Sequence, residues 1–203
     1  MKLYDFTLAP NPRRVRIFAA EKGLNLPNEQ VDLTQGKSRT PEFLAINPAG
    51  RVPVLQLDDG TYLAESNAIA HYLESLHPEP NLCGRDALER ARIEMWERRM
   101  ELDLFTTALR AFLHLHPMNA QRLKQLKEYG NSQVAAVQTQ LEWLDRQLKG
   151  KEFIAGPRFT IADITAFVGI EFGVATAGIK VDPALADLTR WHRAVSSRPS
   201  AKA

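Results

Sequence analysis

The chain has 203 residues, enough for one large domain or two small ones. With 26 Lys and Arg against 24 Asp and Glu, and with 44% hydrophobic and 25% charged residues, it has a globular composition that excludes disorder as its main state. This balance leaves no electrostatic footprint for nucleic acid or an anionic membrane, and the single cysteine, Cys83, excludes a secreted disulfide scaffold and points to a reducing, cytoplasmic setting.

Leu3 to Thr7 reads as a strand, in which Asp5 breaks the apolar run a signal peptide needs. Pro12 to Lys22 reads as a helix with Asn11 as N-cap, Pro12 at the first position and Gly23 ending it; the Arg13, Arg14 and Arg16 cluster reads as its solvated face. Gln30 to Leu33 is the second strand, completing a βαβ unit. After the polar stretch Gln35 to Glu42, Val52 to Leu57 and Thr61 to Ala64 form a hairpin through Asp58-Asp59-Gly60, and Ser66 opens a helix running to about Leu76.

The Pro-rich His77-Pro78-Glu79-Pro80-Asn81 segment cannot continue that helix and reads as a connector. Beyond it only helical periodicity is found. Asp86-Ala87-Leu88-Glu89 resembles a capping box opening a long helix, Val134 to Leu148 carries an amphipathic stripe, and the last helices are Ile161 to about Ala175 and Pro183 to about Ser196. Asp163 and Glu171 interrupt the longest apolar stretch, Ile161 to Ala177, so it reads as a buried helix rather than a membrane span. The expected domains are 1–78 (small mixed sheet with helices), 79–85 (linker) and 86–203 (four or five helices).

Four local features carry chemical information. Pro53 stands at a strand entry; were the Val52–Pro53 bond cis, the Val52 backbone would be free to pair with an extended, peptide-like ligand, whereas an ordinary edge proline is the alternative. Glu65-Ser66-Asn67 sets a hydroxyl and free amides at a helix start, suited to a carboxylate, beside a glutamate that could hold an ammonium; one amino acid head group would satisfy both, although serine is also an ordinary N-cap. At Ala9-Pro10-Asn11-Pro12 a ligand thiol would meet a helix N-terminus, which favours thiolate, with Asn11 as an added donor. Thr160-Ile161-Ala162-Asp163 reads as a capping box between a Phe159–Ile164 staple, with a cost of about 0.5 to 2 kcal/mol expected on losing Asp163. Cys83 lacks activating surroundings, and among the five histidines only His114 and His116 are close, as an i, i+2 pair that faces different sides of a helix; no metal site is expected.

In their order, Pro10-Asn11 with Arg14-Val15-Arg16, Asn47-Pro48 through Val52-Pro53-Val54-Leu55, Glu65-Ser66-Asn67-Ala68-Ile69 and Thr160-Ile161-Ala162-Asp163, these segments resemble the cytosolic glutathione transferases over nearly the whole chain. The resemblance implies an α/β N-terminal thioredoxin-like domain that binds glutathione, an all-α C-terminal domain contributing the electrophile pocket, and a homodimer. It implies that Val52, Pro53, Glu65 and Ser66 hold the cysteinyl backbone and γ-glutamyl group, that Lys37 and Ser38 meet the glycyl carboxylate, and that Phe105, Leu109 and Phe112 line the electrophile wall. The chain departs from the family where serine or cysteine usually stands, having Ala9 there; a partial match to the nu-like group, which carries an asparagine at the position of Asn11, makes Asn11 the candidate catalytic residue. The expected function is glutathione transfer to a hydrophobic electrophile. Glutathione-dependent disulfide or peroxide reduction and a noncatalytic interaction module are the alternatives, while the missing Cys-x-x-Cys motif argues against a thioredoxin-like reductase.

Overall fold

The structure is a computed structural model describing residues 1–203. The chain divides into two compact units, Met1–Leu82 with Lys202–Ala203, and Cys83–Ala201. The connector expected at 79–85 is thereby split, with residues 79–82 belonging to the first unit.

In the first unit the order is β1 (Lys2–Asp5), α1 (Pro10–Glu21), β2 (Asn28–Gln30), a 3-10 turn (Lys37–Arg39), α2 (Pro41–Ile46), β3 (Val54–Gln56), β4 (Tyr62–Ala64) and α3 (Ser66–Leu76). The sheet order is β2-β1-β3-β4. Strands β1 and β2 run parallel, which requires a crossover, and α1 supplies it; β1–β3 and β3–β4 are antiparallel. Tyr4 and Val54 on one face of the sheet pack with Val31, Phe43 and Val52. By strand alternation Leu3 and Leu55 belong to the other face, and both are buried.

Two expected elements are displaced. Helix α1 begins at Pro10, with Ala9 in extended conformation at the N-cap position, so Asn11 lies in the first turn instead of capping it. A proline at the first helical position has its φ preset there, and Pro10 is reached before Pro12. The second strand lies at Asn28–Gln30, two residues earlier than expected, because its register with β1 closes at Asp5↔Gln30. Past that point Asp32 Oδ1 accepts the N–H and hydroxyl of Thr34 at 2.8 and 2.6 Å and turns the chain.

The end of α1 is tied to the connector through a buried cation. The Lys22 ammonium is fully enclosed, 2.5 Å from Glu74 Oε2, and donates to the carbonyls of His77 (2.8 Å) and Pro80 (2.6 Å). Glu74 Oε1 in turn accepts from Asn81 Nδ2 (2.7 Å) and the Leu82 N–H (3.1 Å).

The second unit is helical: α4 (Ala87–Arg99), α5 (Thr106–Leu115), α6 (Lys127–Leu148), α7 (Ile161–Ala177) and α8 (Ala186–Ser196). A π-helical segment, Met100–Phe105, joins α4 to α5. Asp86 caps α4 by accepting the Glu89 N–H at 2.8 Å, as its sequence signature implies. Every residue from Ile161 to Ile170 is buried, which makes α7 the centre of this unit. Glycine is required at 169, where a Cβ would stand 3.1 Å from the Phe105 backbone. No helix is long and apolar enough to cross a membrane.

The capping box forms at Thr160, and Asp163 does more than cap. Its Oδ2 accepts the Thr160 N–H (2.9 Å) and hydroxyl (3.2 Å), while Oδ1 accepts the Ile154 N–H (2.9 Å) and the Trp191 indole N–H (2.8 Å). Burial pushes its pKa up to about 6, against the pull of those four donors.

Candidate functional site

The start of α1 offers fewer donors than a helix N-terminus usually does. Pro10 and Pro12 have no N–H, the Ala9 N–H is used by the Phe6 carbonyl at 2.8 Å, and the Arg13 N–H points to the Ala9 carbonyl at 3.4 Å. Asn11 therefore supplies the free main-chain donor of this turn. Its side chain adds a second donor in a defined direction: Asn11 Oδ1 faces Arg14 Nη1 at 3.2 Å, and a guanidinium can only donate, so Nδ2 is turned to the other side.

The turn before α1 is held from two elements. Arg16 donates to Asp5 Oδ1 (2.7 Å) and to the Thr7 carbonyl (3.0 Å), and Gln30 Oε1 accepts both the N–H and the hydroxyl of Thr7 at 3.0 Å. Thr7 is thus committed to β2. Arg14 is 4% exposed and Arg16 is turned onto Asp5, which corrects the expectation that the Arg13, Arg14 and Arg16 cluster is a solvated face. The signals for it were local: Asn11 stands three residues before Arg14, and Asp5 closes the strand before α1.

Ser66 opens α3 as expected and is buried, with its hydroxyl 3.5 Å from Asn11 Oδ1, the outer limit of a hydrogen bond. The starts of α1 and α3, 55 residues apart in sequence, therefore meet. Beside them Glu65 is exposed and has φ +69°, the one non-glycine residue with positive φ, a conformation that side chains disfavour. Nothing in the sequence announced it. Glu65→Gly is expected to stabilise the first unit by about 1 kcal/mol, since relief of about 1–3 kcal/mol outweighs the entropy glycine adds to the unfolded chain. Thermal denaturation beside Glu65→Ala checks this, because alanine retains the strain and should give no gain.

The Val52–Pro53 bond is cis, and Val52 precedes the paired residues of β3, which begin at Val54. Continuing the Val54↔Ala64 register by one residue sets Pro53 opposite Glu65. Lys37, exposed, and Ser38, buried, lie on the 3-10 turn that packs on the Asn47–Arg51 loop. The fit there is close: Gly50 has φ +60°, and a Cβ on it would lie 2.8 Å from the Ser38 carbonyl. Asn47 Nδ2 braces the same loop by donating to the Arg51 carbonyl at 2.8 Å.

In the helical unit Phe105 is buried core against Gly169, whereas Leu109 and Phe112 are half-buried, Phe112 lying edge-on to Phe172. His114 and His116 bind backbone: each Nδ1 accepts an N–H, from Leu126 (3.1 Å) and Met118 (3.3 Å) respectively. Cys83 is buried.

Comparison with known proteins places these features. Residues 9–76 match the family model "Glutathione S-transferase, N-terminal domain" and residues 102–199 match "Glutathione S-transferase, C-terminal domain". Glutathione S-transferase 2 of Saccharomyces cerevisiae is 36% identical over all of this chain and 88% of its own length. Maleylacetoacetate isomerase of Pseudomonas aeruginosa is 34% identical over 96% of this chain and 93% of its own. Among solved structures, a glutathione S-transferase domain-containing protein of Marinobacter aquaeolei superposes with a TM-score of 0.92 at 40% identity, covering 98% of this chain and 99% of that one.

Proposed function

Since this chain belongs to the glutathione S-transferase family, we propose that it binds glutathione on its first unit and holds the thiolate at the start of α1 for attack on a hydrophobic electrophile. The observation that carries this reading is the meeting of Asn11 and Ser66, which brings a donor suited to a thiolate beside a helix start suited to a carboxylate. Ser66 and the first-turn amides of α3 take the γ-glutamyl carboxylate, and Glu65 takes its ammonium. The Val52 backbone pairs with the cysteinyl residue at the Val52–Pro53 edge, and Lys37 and Ser38 meet the glycyl carboxylate.

Ala9 has no hydroxyl or thiol to share a proton or form a mixed disulfide, so activation falls to Asn11. Its N–H and Nδ2 stabilise the thiolate over the thiol and so raise the fraction of reactive anion. Catalysis is then thiolate stabilisation together with positioning. Half-buried Leu109 and Phe112 favour an apolar electrophile. Leu88, Met95 and Leu102 recur at seven-residue spacing along α4 and the π segment, all exposed, and this face supports pairing with a second copy of the chain.

Calorimetric titration with glutathione and, separately, glutathione disulfide tests the reading in wild type, Glu65→Ala and Ser66→Ala. Binding that both substitutions weaken by at least tenfold is expected. Binding of the disulfide alone would move the function to disulfide chemistry, and binding of neither would leave a noncatalytic module of the same fold.

A further inference from the structure

We propose that Arg14 is a positioning residue for thiol activation: its buried guanidinium fixes and polarises the Asn11 carboxamide so that the amide donates to the sulfur. This inference rests on the reading of Asn11 given above. Arg14 is 4% exposed, and Nη1 lies 3.2 Å from Asn11 Oδ1. A carboxamide can present either its oxygen or its NH2 to a ligand, and the two are opposite in effect on a thiolate: the NH2 stabilises the anion, whereas the oxygen repels it. A guanidinium has no acceptor, so it holds the oxygen inward and leaves the NH2 outward. The Ser66 hydroxyl at 3.5 Å stands at the same oxygen and, by donating, acts in the same direction.

Polarisation adds to orientation. A cationic donor on Oδ1 draws electron density from the amide and makes its N–H groups stronger donors. The arrangement matters more in this chain than at an ordinary helix start, because Pro10 and Pro12 remove two of the first three amides. With so few main-chain donors, the side-chain donor carries a larger share, and its direction has to be enforced. Arg14 sits one helical turn after Asn11 at i+3, on the same face of α1, where side chains three residues apart are neighbours.

The test is the pH titration of bound glutathione, followed by the ultraviolet absorbance of the thiolate, in wild type, Arg14→Gln, Asn11→Ala and the double variant. Asn11→Ala is expected to raise the midpoint. Arg14→Gln is expected to raise it by about one pH unit, a roughly tenfold smaller thiolate fraction at a pH below both midpoints. In the Asn11→Ala background Arg14→Gln should add nothing, since its effect passes through the carboxamide. Under steady state, kcat/KM of Arg14→Gln should fall about tenfold at low pH and recover above its raised midpoint, a recovery that a merely distorted fold would not show.

The outcomes separate the two ideas. Glutathione that fails to bind wild type, or a midpoint that Asn11→Ala leaves in place, overturns the functional reading and this inference with it. A midpoint raised by Asn11→Ala but not by Arg14→Gln overturns the role of Arg14 alone, and so does an equal shift from Arg14→Gln in both backgrounds. Should Arg14→Gln fail to fold, Arg14→Lys carries the same test; it keeps the charge but not the planar fork, and a smaller rise is expected, with no rise counting against the proposal.

Discussion

Asp163→Ala is expected to destabilise the protein by about 4 kcal/mol and to lower its melting temperature by about 10 °C. The residue is fully buried, and the substitution leaves four donors without an acceptor: the N–H groups of Ile154 and Thr160, the Thr160 hydroxyl and the Trp191 indole. Each was chosen for an acceptor-only group, so Asp163→Asn should fare little better; its NH2 must face at least one of these donors. The pH dependence is equally defined. The folded carboxyl takes up a proton at about 6, above the ordinary 3.8, so the native state binds more protons between those values. This group's contribution to stability is therefore fully present below pH 4 and lost as pH rises through 6, by about 3 kcal/mol in all. Chemical denaturation of wild type and Asp163→Asn between pH 4 and 7 checks it, with the gap between them expected to narrow as pH rises.

The second large effect belongs to Lys22. Lys22→Met is expected to cost about 3–5 kcal/mol, because it strands the Glu74 carboxylate in a site from which water is excluded. The double variant Lys22→Met/Glu74→Gln should recover much of that loss. Glutamine keeps the Oε1 that accepts from Asn81 and Leu82 while removing the uncompensated charge, and the recovered fraction measures the coupling of the pair. Denaturant midpoints of wild type, both single variants and the double variant give the cycle. Equal loss in the single and double variants would show instead that the contacts of Lys22 with the His77 and Pro80 carbonyls dominate.

The features readable from the sequence were those whose cause is local. Ser66 starts α3, Asp86 starts α4 and Thr160 precedes α7 because a short polar side chain at each answers amides two or three residues on. What escaped has distant partners. Lys22 looked like the polar end of an amphipathic helix, yet its acceptors lie 52 to 58 residues away. Asp163 was legible as half of a capping box, and the larger half of its role depends on Trp191 and Ile154, which only packing brings to it. In the candidate site Asn11 and Ser66 could be named singly, but their adjacency, the inward turn of Arg14 and the positive φ of Glu65 are properties of the assembled sheet and helices.

The π segment at Met100–Phe105 has an evolutionary consequence. A π turn holds one residue more than an α turn, so deleting a single codon here would restore ordinary helix and rotate everything after it by about 100°. Ala108 and Ala111, now fully buried, would swing off the core, and Leu109 and Phe112 would face new directions. Lineages that gain or lose this residue would change the apolar surface of α5 in one step, faster than point substitution could and without altering the helix count.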